Sequence, residues 1–362
     1  MRHLGSRHEL AKAPFQKMSL ICLLLTCGML MAACGNGPAA RPGQPAASAG
    51  GPAAGYPVTV RSCGTPVTFD RPPARAVSND INATEDMLAL GLAPRMAGDF
   101  GVTGDGPAGK PVPARYLAAF RRVKDVSPGY FTLDSLLGLR PDFLFAGWNY
   151  GLQTGTKLTP GYLARFGIKT LALGESCAHV DPVRQRVSID DSYADLTSLG
   201  AIFNVRPRAR RLVSSMRAQV AAVRAKVAGL RPVSVFVYDS GEAAPFTAPG
   251  LALPSALIRL GGGTDIFAGL KRSWTSVSWE QVVAGKPQCI IINDYGTPTW
   301  RQKRKFLQTH PVTRNLPAVR HGCILPLSYD QLTPGPRNAG AVEAIARWLH
   351  PQAFGRPGRH ER

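Results

Sequence analysis

The 362-residue chain lacks the short motifs that mark most enzyme classes. No GxSxG elbow is present to raise a serine nucleophile, and no Walker A sequence to cradle nucleotide phosphates. The segment Gly104-Asp105-Gly106-Pro107-Ala108-Gly109 fits GxGxxG, but Pro107, Pro111 and Pro113 break the helix whose N-terminus would hold a phosphate. The seven histidines are scattered without HxH or HExxH spacing, and there is no CxxC pair. A protein metal site needs a compact set of such ligands, so direct metal capture is not expected. No apolar run reaches the roughly 20 residues of a membrane-spanning helix. Acidic residues are also few, 23 against 43 Lys and Arg, for a net charge of +20. The basic residues are dispersed, which argues against a nucleic-acid surface. Anionic envelope surfaces, an anionic ligand or simple solvation would account for them.

The N-terminus is informative. Arg2, Arg7, Lys12 and Lys17 precede an apolar run from Leu20 to Ala33, and Ala32-Ala33 lead into Cys34. That is the pattern of a signal peptide over residues 1–34 ending at a lipidation cysteine, with Met1 or Met18 as initiator. Met31, three positions before Cys34, stands where Leu, Val or Ile is usual, so plain secretion or a retained anchor is the other reading. Residues 35–55 are almost wholly Gly, Ala, Pro and Ser, a composition that cannot offset its ordering entropy and reads as a flexible tether. The expected location is the extracytoplasmic face of the cell membrane, with the protein held there by lipid.

Four cysteines remain beyond Cys34, an even number that suits disulfides in an oxidising compartment. Three pairings are possible. Cys63–Cys177 and Cys289–Cys323 are favoured, because each would lie within one half of the chain and leave motion between halves free.

Short β-branched runs alternate with helical patterns through the body, which signals βα units around a mainly parallel sheet. In the first half strands are expected at 76–78, 95–100, 123–126, 142–147 and 169–173, with helices at 83–91, 114–120, 133–139 and 160–167. In the second half strands are expected at 234–240, 288–296 and 322–329, with helices at 254–262, 278–285, 301–308 and 339–350. Residues 190–229 break the alternation with two helices. Asp190-Asp191 stand at the start of the first, where capping explains them. In the second, Leu212, Met216, Val220, Val223 and Val227 share one face. The expectation is an α/β protein of two Rossmann-like lobes, 56–189 and 230–350, joined by one long rigid helix within 190–229 and followed by a basic tail at 351–362.

Four segments carry a resemblance. RAVSNDINATEDMLALGLAPRMAG, LDSLLGLRPDFLFAG, GGGTDIF and WEQVVAGKPQCIIINDYG together resemble the class III periplasmic binding proteins of ABC transporters, which carry ferric siderophores, haem and cobalamin. The match covers about residues 60–350. It implies a ligand cleft between the lobes, an ABC permease with its ATPase as partner, and no catalysis. It further implies a ferric siderophore or similar chelate as ligand, with iron arriving only inside the chelate and no resident cofactor. A haem or cobalamin receptor is the alternative, and a surface enzyme or structural lipoprotein a more distant one. The molecule is expected as a monomer. A catecholate, hydroxamate or citrate complex would leave the same signature.

In open α/β sheets, loops beyond the carboxyl ends of strands line the ligand crevice. That rule nominates Asn79, Phe100 beside Asp99, Trp148 with Asn149 and Tyr150, Tyr238 with Asp239, Tyr295 after Asp294, Tyr329, and Trp274 ahead of a helix. Aromatics suit a bulky conjugated ligand because they offer broad contact at low entropy cost. Arg184, with Arg186, would pair an anionic chelate. Glu85 matches the family position whose exposed carboxylate meets a permease arginine. The matching stretch of the second lobe, ALPSALIRL, has no acid, and Glu242 is a loose substitute.

Overall fold

The computed structural model describes residues 53–102, 112–181, 183–184 and 186–355. The signal peptide with Cys34, the tether up to residue 52, the 104–109 glycine segment and the tail beyond 355 lie outside the described residues.

The first lobe opens with a hairpin, β1 (Val58–Ser62) and β2 (Thr65–Phe69), paired antiparallel. Its two-residue turn, Cys63-Gly64, takes positive φ at both positions, which matches the twist of the flanking strands. The hairpin is absent from the sequence expectation. Next come β3 (Ala76–Asn79), α1 (Ile81–Ala89), β4 (Met96–Phe100), α2 (Ala114–Phe120) and β5 (Asp125–Ser127). Then follow α3 (Leu133–Gly138), β6 (Phe143–Trp148), β7 (Gly151–Leu152), α4 (Pro160–Leu163) and β8 (Lys169–Ala172). The strands form a parallel sheet in the order β5-β4-β3-β6, where β6 also pairs with β7 and β8. Strand order reverses between β3 and β6, which is where such sheets open a crevice.

Two helices follow, α5 (Ile189–Ile202) and the 22-residue α6 (Arg206–Val227). The capping box of Ser188 with Asp191 starts α5, as the paired acids suggested. Ala209, Met216, Val220 and Val223 are the buried stripe of α6, which packs on α5 and on the last helix of the second lobe. At 1.5 Å per residue α6 spans roughly 33 Å.

The second lobe runs β9 (Val233–Tyr238), β10 (Phe246–Thr247), α7 (Leu253–Leu260), β11 (Gly263–Asp265), β12 (Thr275–Ser276) and α8 (Trp279–Gly285). It continues with β13 (Cys289–Asp294), α9 (Trp300–Thr309), α10 (Pro317–Arg320), β14 (Ile324–Ser328), α11 (Tyr329–Leu332) and α12 (Asn338–Leu349). Its sheet is parallel in the order β11-β9-β13-β14, and it reverses between β9 and β13. The fold is thus α/β with two parallel sheets and one long helix between them in the chain. Disulfides Cys63–Cys177 and Cys289–Cys323 form, each tying its own half.

Polar contacts join the halves. Glu175 accepts from the Leu253 amide at 3.2 Å, so it serves the N-terminus of α7, whose own N-cap Ala252 has no side chain to offer. Asn82 donates to the Pro334 carbonyl at 3.0 Å, Ser192 bonds to Asn338 at 2.9 Å, and Gln219 of α6 donates to Glu343 of α12 at 2.8 Å.

Candidate functional site

A cleft of about 490 Å³ opens at the carboxyl ends of both sheets. The first lobe contributes Tyr130, Asn149, Tyr150 and His179 to its wall, and the second Asp239, Phe246, Trp274, Tyr295 and Tyr329. Each side chain is placed by local backbone. Asn149 adopts φ 63, which bends the chain after β6 and turns Tyr150 inward. Gly101 sits at φ 72 after β4, and a Cβ there would meet the Tyr130 ring at 2.9 Å. Only glycine lets that ring lie against the strand end. Across the cleft Phe246 stacks on Trp274 at 6.1 Å, and Tyr295 meets Tyr329 edge-on at 5.3 Å.

Two buried carboxylates orient the phenols. Asp80, the first residue beyond β3, accepts the Ile81 amide at 2.7 Å, the Tyr130 hydroxyl at 2.7 Å and the Tyr329 hydroxyl at 2.8 Å. Tyr130 belongs to the first half of the chain and Tyr329 to the second, so one carboxylate fastens both. Asp80 is fully buried and held at φ 80, a region a non-glycine residue enters only when its surroundings fix it. Asp239, the first residue beyond β9, accepts from Asn293 at 2.6 Å, Tyr295 at 2.8 Å and Ser240 at 2.9 Å. Burial above all, and then these nearby carboxylates, push Tyr130, Tyr295 and Tyr329 well above the usual phenol range, so all three keep their protons. Burial lowers the pKa of His179, whose ring pairs with Asn149 at 2.9 Å.

The sequence-nominated residues divide. Tyr150, Trp274, Tyr295 and Tyr329 reach the cleft, with Asn149 and Asp239 beside them. Five others do not line it. Asn79 is fully buried and acts as a brace, donating to the Tyr150 carbonyl and accepting from the Phe131 amide. Phe100 packs edge-on against Phe131 in the core. Trp148 packs partly buried into the same cluster. Tyr238 is 1% exposed, stacked between Phe236 and Phe306. All four are the last residues of their strands, still inside the pleat, and their side chains stay in the core. Arg184 is held by Asp191 at 2.5 Å at the head of α5.

Glu85 departs from its expected exposure. It is 0% exposed, because the N-terminal half of α1 is tucked beneath residues 330–338. Arg337 lies 4.0 Å from it and is itself bound to Asp330. Burial first, then Asp330, pushes the Glu85 carboxyl up to about 9, with Arg337 opposing. Glu242, by contrast, is exposed.

Sequence reasoning passed over Asp80, Tyr130, His179 and Phe246. Tyr130 had a signal: the Pro128-Gly129 turn directly follows β5, so the strand-end rule applied one loop further would have reached it. Phe246 and His179 come from a two-residue strand and a short turn of 3-10 helix with no periodic pattern.

Aromatic walls, buried carboxylates behind them and a crevice shared by two parallel sheets define a binding protein. Residues 77–328 match the family described as periplasmic binding protein, and the chain belongs to that family. A periplasmic binding protein from Veillonella parvula is 26% identical, with a TM-score of 0.70 over 81% of this chain and 97% of that one. The structure of an ABC-type Fe3+-hydroxamate transport system from Saccharomonospora viridis is 23% identical, with a TM-score of 0.68 over 82% and 99%. A vitamin B12-binding protein from Yersinia pestis is 29% identical over 161 residues, 44% of this chain and 52% of that one. The match thus spans about half the length of this curated relative.

Proposed function

We propose that this protein is the substrate-binding component of an ABC importer. It captures a ferric siderophore in the cleft and delivers it to a membrane permease driven by an ATPase. One observation carries the reading: Tyr130 and Tyr150 face Trp274, Tyr295 and Tyr329 across a single 490 Å³ crevice at the carboxyl ends of both sheets. Such a wall fits a bulky, partly conjugated ligand and holds it by contact area. Attachment through a lipid on Cys34 would keep the receptor beside its permease, and loss of membrane retention in Cys34→Ser is the expected result.

Titration of tryptophan fluorescence with ferric siderophores tests the reading, because Trp274 lies in the wall. Saturable quenching is expected. No response to any ferric chelate, haem or cobalamin would overturn it. Cobalamin is the second reading, favoured by the vitamin B12-binding relative.

A further inference from the structure

We infer that the cleft selects its ligand by charge, taking an uncharged or cationic ligand and discriminating against anionic chelates. The inference rests on the importer reading and narrows it. The chain carries 43 Lys and Arg, yet among the described residues that line the cleft there is neither. The one acid in the wall is Asp239, and Asp80 lies directly behind Tyr130 and Tyr329.

Among the described residues, Lys303, Arg337 and Arg184 are committed elsewhere. Lys303 is 3% exposed behind the Tyr295 ring, 4.7 Å from its centroid, and donates to the Asn293 carbonyl at 2.7 Å. Arg337 lines a neighbouring cavity, where Asp330 holds it. Arg184 is paired with Asp191. Burial disfavours the charged form of His179.

Hydrogen-bond polarity points the same way. The cleft phenols turn their hydroxyls toward carboxylates, Tyr130 and Tyr329 toward Asp80 and Tyr295 toward Asp239, so acceptor groups and negative charge stand close behind the rings. A ligand bearing N–H or O–H donors, or a positive charge, complements that wall. A negative one would be brought against Asp80 and Asp239 in a partly dehydrated space, where charges are poorly screened.

The test is a fluorescence titration of the full chain at fixed ionic strength with ferrioxamine B (cationic), ferrichrome and cyanocobalamin (uncharged), and ferric enterobactin and ferric citrate (anionic). The cationic or an uncharged probe should bind at least about tenfold more tightly than either anionic one, an order set by one unit charge nearby. In Asp239→Asn the ratio of cationic to anionic affinity should shrink about tenfold, whatever the absolute affinities. Should that variant fail to fold, Asp80→Asn, which removes the other charge behind the wall, must narrow the same ratio. Anionic complexes binding as tightly as the others, or a ratio that neither substitution moves, would overturn the charge inference and spare the importer reading. Binding of none of the five would defeat both.

Discussion

Asp80 and Asp239 hold equivalent places, each the first residue beyond the leading strand of its sheet, and each accepts a hydrogen bond from a cleft tyrosine. Asp80→Asn keeps the shape but loses the charge and one acceptor oxygen. It should weaken binding of the preferred chelate by about 1.5–3 kcal/mol, roughly ten- to a hundredfold, as the loss of a hydrogen bond to a charged group. Calorimetric titration reads this directly, and unchanged affinity would remove Asp80 from the site. Tyr295→Ala and Trp274→Ala should each cost tenfold or more, whereas Trp148→Ala should stay within about twofold, since its ring packs in the core. The strand ends were legible in the sequence, but not which residue at each end looks outward. Asn79 and Tyr238 end β3 and β9 inside the pleat, and Asp80 and Asp239, one step later, leave it. Periodicity locates a strand to within about two residues, and one residue decides the direction of a side chain.

Among the elements, α6 and α12 were readable because their apolar stripes repeat at helical spacing, and β6 and β13 because FLFAGW and CIIIND are apolar enough for strands covered on both faces. The β1–β2 hairpin was not, since VTVRS fully buries two side chains and TPVTF one, too few to mark a strand by pattern. Replacing Cys63 and Cys177 together by Ser should lower stability by about 2–5 kcal/mol, the usual worth of a disulfide closing a long loop, measurable by urea denaturation. Helix α1 carries a pH dependence. In the fold Glu85 binds its proton up to about pH 9, against an ordinary 4.5, and burial raises its neighbour Asp86 as well. Between those values the folded state holds protons that the unfolded chain has released, so stability falls as pH rises from about 5 to 9. Thermal melts should show a Tm that declines across that range, and Glu85→Gln should flatten the decline. A Tm that rises toward pH 9 would refute the burial of these carboxyls.

At the scale of the molecule, the chain passes between its two sheets once, through α6, yet the halves are stitched at several remote points. The plan of two sheets and one long helix was legible because alternating strand and helix patterns stop and restart around residues 190–229. The stitching was not, because Asn82, Ser192 and Asn338 have no pattern and meet only in three dimensions. The bond from the Leu253 amide to Glu175 says most about how the molecule comes apart. One half of the chain supplies the carboxyl that completes the start of a helix in the other, so neither half is finished alone. A calorimetric scan should therefore show one cooperative transition for the body, and two resolved peaks would contradict it. Glu175→Ala should broaden that transition before it shifts it, since what the residue supplies is the agreement of two halves to melt together.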